Sequence, residues 1–189
     1  MIAIAKTATR MALVATVVYL SFATRPACAA SARGLELDGK AALQNLYAAQ
    51  PSARLLASKA KAILVFPSIL KAGFMFGGQI GEGVRLEKNK VRGYYSSVAA
   101  SYGFQAGIQT FGYALFFMDE ESLRYLSESR GWELGVGPSL VILDQGMAKN
   151  ISTTTLEKGV YAFIFNQEGL MAGLGIQGTK ITPFTPNQY

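Results

Sequence analysis

The stretch Ala62-Ile63-Leu64-Val65-Phe66-Pro67-Ser68-Ile69-Leu70-Lys71-Ala72-Gly73-Phe74-Met75-Phe76-Gly77-Gly78-Gln79-Ile80-Gly81-Glu82-Gly83-Val84 decides how this chain folds. Residues 62–66 are apolar and suit a buried strand, which Pro67 should end because it has no ladder N–H to donate. Ser68 to Ala72 then read as a turn or a single helical turn closed by Gly73. From Phe74 the chain alternates. Phe74, Phe76, Ile80 and Val84 share one face, and Met75, Gly77, Gln79, Gly81 and Gly83 share the other. A strand with one face of glycine has poor propensity of its own. Either another element lies close against it or the sheet bends there.

Outward from this stretch, Val91 to Ser101 and Phe104 to Met118 read as further strands, and Lys88-Asn89-Lys90 reads as a hairpin connection. Asp119-Glu120-Glu121 opens a helix that runs to about Glu128, with acids suited to the positive end of the helix dipole. Trp132 to Leu143 reads as a strand bulged or placed at an edge by Gly135, Gly137 and Pro138. Val160 to Asn166 and Leu170 to Thr182 read as a closing hairpin around Gln167-Glu168-Gly169. Before the central stretch, Leu35 to Ala49 and Ala53 to about Lys61 have helical spacing, with Ser52 as the cap of the second helix. The expected class is α+β: a curved, barrel-like, mainly antiparallel sheet with N-terminal helices and one helix in mid-chain.

The N-terminus has a different logic. Lys6 and Arg10 precede the apolar run Met11 to Ala23, and Ala27-Cys28-Ala29 offers a small-residue cleavage site. Residues 1–29 are expected to be a signal peptide and residues 30–189 a single domain, because the apolar run is too short to span a bilayer. Export to the periplasm or outer envelope of a bacterium follows. Cys28, the sole cysteine, would leave with the leader, so no disulfide is expected. The alternatives are an uncleaved anchor, a transit peptide, or lipoprotein anchoring at Cys28, for which Arg25-Pro26-Ala27 is a poor preceding segment.

Composition argues against an enzyme. The chain has no histidine, which removes the His-based nucleophile systems and the commonest transition-metal ligand. The Asp119-Glu120-Glu121 cluster is explained by its helix start, so neither a metal nor a cofactor is expected. Gly173-Leu174-Gly175-Ile176-Gln177-Gly178 spells G-x-G-x-x-G, but strand-like residues follow it where a phosphate-binding helix would have to begin. The sequon Asn150-Ile151-Ser152 has meaning only in a eukaryotic secretory route. Charge is the remaining signal. Residues 33–92 carry ten Lys/Arg against four Asp/Glu, whereas residues 93–189 carry five against eight. A basic segment on helices attracts anionic surfaces. Nucleic acid is the weaker polyanion for an exported chain with dispersed basic residues.

Several ordered blocks resemble the SYLF lipid-binding domain family. They include Ala60 to Pro67, Lys71-Ala72-Gly73-Phe74, Gly81-Glu82-Gly83-Val84, Tyr113 to Met118, Trp132 to Ser139, Ser152 to Leu156, Val160 to Phe163 and Gly169 to Gly173. The resemblance covers about residues 35–183 and implies lipid binding without catalysis. In this family eukaryotic members bind phosphoinositides and some bind actin; bacterial members are small, secreted and stand-alone. For an exported chain the resemblance carries over only an affinity for anionic phospholipid or a membrane surface. Arg54, Lys59, Lys61 and Lys71 are the positions in the matching basic segment. The competing reading is a module for binding an envelope protein or for self-association, its Gly-rich strand faces serving the partner.

Overall fold

The computed structural model describes residues 31–129, 131–143, 159–169, 176 and 178–187, with the backbone alone at 74–75 and 101–106. Its elements in order are α1 (Ala32–Ala49), α2 (Pro51–Lys59), β1 (Ala62–Glu87), β2 (Lys90–Phe117), α3 (Glu120–Glu128), β3 (Trp132–Glu133), β4 (Leu140–Leu143), β5 (Val160–Gly169) and β6 (Lys180–Phe184). They build an α+β fold in which a curled half-barrel sheet carries the two N-terminal helices on its outer face. No helix of the described residues is long and apolar enough to cross a membrane.

Proline does not end the first strand. β1 runs unbroken through Pro67, and the register steps from Phe66↔Tyr113 to Ile69↔Phe111. Pro67 and Ser68 therefore share a bulge opposite Gly112, where the missing N–H is tolerated. The expected turn at Ser68–Ala72 is strand. β1 and β2 form one long hairpin closed by Lys88 and Asn89, both at positive φ (49° and 63°), the geometry of a type I′ turn.

The hairpin folds over itself. At residues 73–77 β1 bends toward its glycine face, so that a methyl group placed on Gly73 would lie 2.6 Å from the Gly77 Cα. Further along, a methyl on Gly81 would lie 2.6 Å from the Ser68 carbonyl oxygen and would strike Ile69. One on Gly83 would lie 2.6 Å from the Val65 oxygen and from the Phe66 ring. Each long strand thus has two arms: 62–73 and 76–87 in β1, 90–101 and 107–117 in β2. The glycines let the arms of β1 approach at backbone distance.

Inside the curl lie Leu64, Phe66, Ile69, Phe111, Tyr113, Leu115, Phe117 and Trp132. The Phe66 and Tyr113 rings stack at 4.6 Å. The Tyr113 hydroxyl, fully buried, donates to Ser97 Oγ at 2.7 Å and so ties one arm of β2 to the other. Burial raises the Tyr113 pKa above the ordinary phenol value, and the Ser97 bond opposes this only in part. The neutral phenol therefore contributes stability that is present below about pH 10, the unfolded value, and is lost as pH rises above it. Tyr113→Phe is expected to lose about 1–2 kcal/mol at neutral pH, by leaving Ser97 Oγ without its donor. It is also expected to flatten the fall of stability above about pH 10. Urea titrations across that range check both; parallel pH profiles for the two proteins would refute the assignment.

Two further expectations are corrected. Trp132 to Leu143 is not one strand: only 132–133 and 140–143 are strand, because Gly135 and Gly137 take positive φ (102° and 93°) and turn the chain. β5 and β6 are not a hairpin. β5 pairs antiparallel with β2 at residues 109–117 and parallel with β4, whereas β6 pairs with β2 at residues 94–98 and with β3. Asn166 to Gly169 lie within β5. In the second helix the N-cap is Gln50 and Pro51 is the first helical residue, so Ser52 is already inside. The mid-chain helix is as read: Asp119 caps it, accepting from the Ser122 N–H at 2.7 Å and also from Gly159 N–H. Burial raises the Asp119 pKa, but these bonds to the carboxylate outweigh it and the net shift is downward. The leader, the sequon and residues 152–155 lie outside the described residues, as does most of the G-x-G-x-x-G segment.

Candidate functional site: a basic groove at the open end of the hairpin

The site begins with the single residue between the two helices. Gln50 donates its N–H to the Leu46 oxygen at 2.8 Å, and its own carbonyl accepts from Ala53 N–H at 3.0 Å. α1 therefore ends and α2 starts with no loop between them. Leu43 and Leu46 of α1 and Ala53 and Leu56 of α2 are buried on the sheet's outer face with Val65, Val84, Ala114 and Phe116. Gly39 makes the approach close, since a methyl there would strike Val84 and lie 3.2 Å from Val65 Cγ1. With Ala53 and Leu56 inward, Arg54 is outward and exposed.

The start of β1 is fixed by the Lys61 N–H, which donates to the Phe117 oxygen at 2.8 Å. Because the hairpin doubles back, its turn at Lys88–Asn89 arrives beside this point. The result is a groove of about 400 Å³ between α1, α2, the first residues of β1 and the hairpin turn. Its apolar lining includes Leu43, Ala57, Ile63 and Leu86, and its cations are Arg54, Lys61 and Lys88. Tyr47 adds a phenol whose pKa burial raises and the Arg54 charge lowers in part, so it remains a protonated donor at neutral pH.

Lys61 lies 3.5 Å from Glu120, but both side chains are more than half exposed, and such a pair contributes little. Arg54 and Lys88 form no ion pair among the described residues. Arg85 and Arg92 both pair with Glu87, and Arg85 also bonds Ser127 and Tyr95, so those two cations are occupied within the fold. The groove therefore presents net positive charge over an apolar floor.

The four expected positions do not form one patch. Arg54 and Lys61 meet in the groove, and Lys59 is exposed on α2 without lining it. Lys71 is elsewhere. It is 7% exposed, on the inner face of the sheet, paired in register with buried Gln109. The two-residue bulge at Pro67 and Ser68 sets this parity, placing Ile69 and then Lys71 inward. Gln109 Oε1 has no hydrogen-bond partner, while buried Gln79 donates to Thr179 Oγ1 at 2.8 Å. The inner face thus buries Lys71, Gln79 and Gln109. Lys88 was missed as a site residue, because only the fold-over at 73–77 brings it to the groove. Among the described residues no group of three His, Cys, Asp or Glu side chains is placed to hold a metal ion.

Residues 98–185 match the family model described as Ysc84, Las17-binding protein actin regulator. Protein YSC84 of Saccharomyces cerevisiae is 28% identical over 131 residues, covering 65% of this chain and 28% of the yeast protein. The chain thus spans little more than a quarter of that relative. Together with the blocks of sequence described above, these matches make residues 98–185 similar to the Ysc84 (SYLF) family.

Proposed function

We propose that this is a non-enzymatic protein of the bacterial envelope, exported by residues 1–29, that associates with anionic phospholipid surfaces through its basic helical end. The observation that carries the reading is the convergence of Arg54, Lys61 and Lys88 on one groove, with Lys59 exposed on the same helix as Arg54. Arg54 and Lys88 have no ion pair among the described residues and the Lys61–Glu120 pair is solvent-exposed, so the groove stays net positive, and each Lys or Arg close to an anionic leaflet adds about 1 kcal/mol of attraction. Lys71 drops out of the set because its ammonium is inside the sheet.

Co-sedimentation with phosphatidylglycerol vesicles tests this. The combined variant Arg54→Gln, Lys61→Gln, Lys88→Gln is expected to weaken binding by about 3 kcal/mol, roughly a hundredfold. Binding of the unmodified chain should fall steeply as salt shortens the Debye length from about 10 Å at 0.1 M to about 3 Å at 1 M. Lys71→Gln and Lys180→Gln should leave binding unchanged. A triple variant that binds like wild type at low salt would refute the reading. A second reading, an envelope protein as partner or self-association, is supported by the matched family's description, since the matched residues 98–185 exclude both N-terminal helices. It predicts protein capture that the triple variant does not affect.

A further inference from the structure

Helices α1 and α2 cover the outer face of the sheet only at its open end, over Val65, Val84, Ala114 and Phe116. Toward the bend at 73–77 none of the described helices or strands covers the same face. There Phe76 is 70% exposed, Ile108 66% and Ile80 58%, with Leu70 and Val98 close to half exposed. The register places these side chains together: Ile80 opposes Val98, Ala72 opposes Ile108, and Phe76 and Leu70 project from the same side of β1. The bend is toward the glycine face, so this apolar face is convex. It is also free of charge. Across residues 69–81 and 96–110 Lys71 is the only residue charged at neutral pH, and its side chain is buried on the opposite face.

We propose that this convex face is a second lipid-contacting surface, which enters the acyl boundary of a bilayer. Scattered exposed apolar residues need no explanation, but five clustered on a charge-free surface do. A protein partner would be expected to meet a polar rim supplying hydrogen bonds, and to match a convex shape with a concave one. Fluid hydrocarbon conforms to a convex surface and asks for no polar partner. Depth is limited by the backbone: β1 pairs with β2 alone among the described residues, and its other edge needs water. Entry is therefore shallow, on the order of 5–10 Å into the headgroup and acyl boundary. The site is separate from the groove, which lies at the other end of both arms, roughly 30–40 Å away along the strand. It rests on the lipid-surface reading only for the choice of medium and needs none of the groove's cations.

The test uses the full chain carrying Phe76→Trp, mixed separately with phosphatidylcholine and phosphatidylglycerol vesicles. The native Trp132 is buried and gives a constant background, measured on the unmodified chain. The new indole is expected to shift to the blue on binding and to be quenched more by bromine placed high on the acyl chains than by bromine near their ends. The double variant Phe76→Ser, Ile80→Ser should keep its melting temperature, since both side chains are exposed, and lose roughly tenfold or more in partitioning to phosphatidylcholine. The proposal is overturned if the indole neither shifts nor is quenched with any vesicle, bound or not. It is equally overturned if the serine variant binds unchanged, or if its sole effect is to convert a dimer into a monomer in light scattering. Loss of phosphatidylglycerol binding in the groove variant, with the indole signal absent, would retain the groove reading and reject this one.

Discussion

Gly81→Val is expected to destabilise the protein by about 3 kcal/mol, the upper end of what overpacking produces, and to lower the melting temperature by roughly 10 °C. The severity follows from what the new side chain meets. Its first carbon would lie 2.6 Å from the Ser68 carbonyl oxygen, and that oxygen belongs to a bulge held on both sides by the ladder pairs of Phe66 and Ile69. A flexible side chain could rotate away, but this oxygen can retreat only if the fold-over itself opens. Gly78→Val is the control on the same strand. Gly78 is on the outer face, where an added carbon would be 3.4 Å from the Ala99 oxygen, an ordinary contact. Its change should stay within about 0.5 kcal/mol. Equal melting temperatures for the two variants would mean that the arms are not packed on each other through their glycines.

This pair of glycines also shows how much of the fold was legible. The period of two across Phe76, Gly77, Gln79, Ile80, Gly81 and Gly83 announced a strand with one stripped face, and so a close approach or a bend. Both occur, because one bend lets the two arms of a single strand make the close approach. Pro67 misled because a proline signals only a missing donor, and a bulge absorbs that as well as a strand end does. From this one residue pair the rest follows: with two residues in the bulge, Lys71 changes from a turn cation to an inner-face side chain opposite Gln109. Arg54 and Lys61 were readable as a local basic segment. Lys88 was not, since nothing within its own turn shows which surface the hairpin returns to. The separation of β5 from β6 was hidden for a similar reason. A two-armed β2 offers an edge on each arm, and short connections alone could not show that successive strands use different ones.

Trp132→Ala is expected to cost about 3–5 kcal/mol, the largest loss of any single change considered. The indole is 1% exposed and packs against Phe117 at 5.8 Å and Tyr125 at 6.5 Å, joining β2 and α3. Its Nε1 donates to the Val136 oxygen at 2.9 Å, which fixes the turn that Gly135 and Gly137 allow. Residues 132–134 also anchor the last strand, through the pairing of Trp132 with Ile181 and the Leu134 N–H donated to the Thr179 oxygen at 2.9 Å. Removing the ring therefore leaves a cavity at the meeting point of three elements and loosens β6 from its arm of β2. Trp132→Phe keeps part of the ring contact but strands the Val136 oxygen, and should lose about 1–2 kcal/mol. Urea unfolding followed by circular dichroism measures both. The groove is built from α1, α2 and the hairpin ends, so phosphatidylglycerol binding should persist in both variants while they remain folded. An alanine variant within about 1 kcal/mol of wild type would mean that the indole is not what holds α3 and β6 to the sheet.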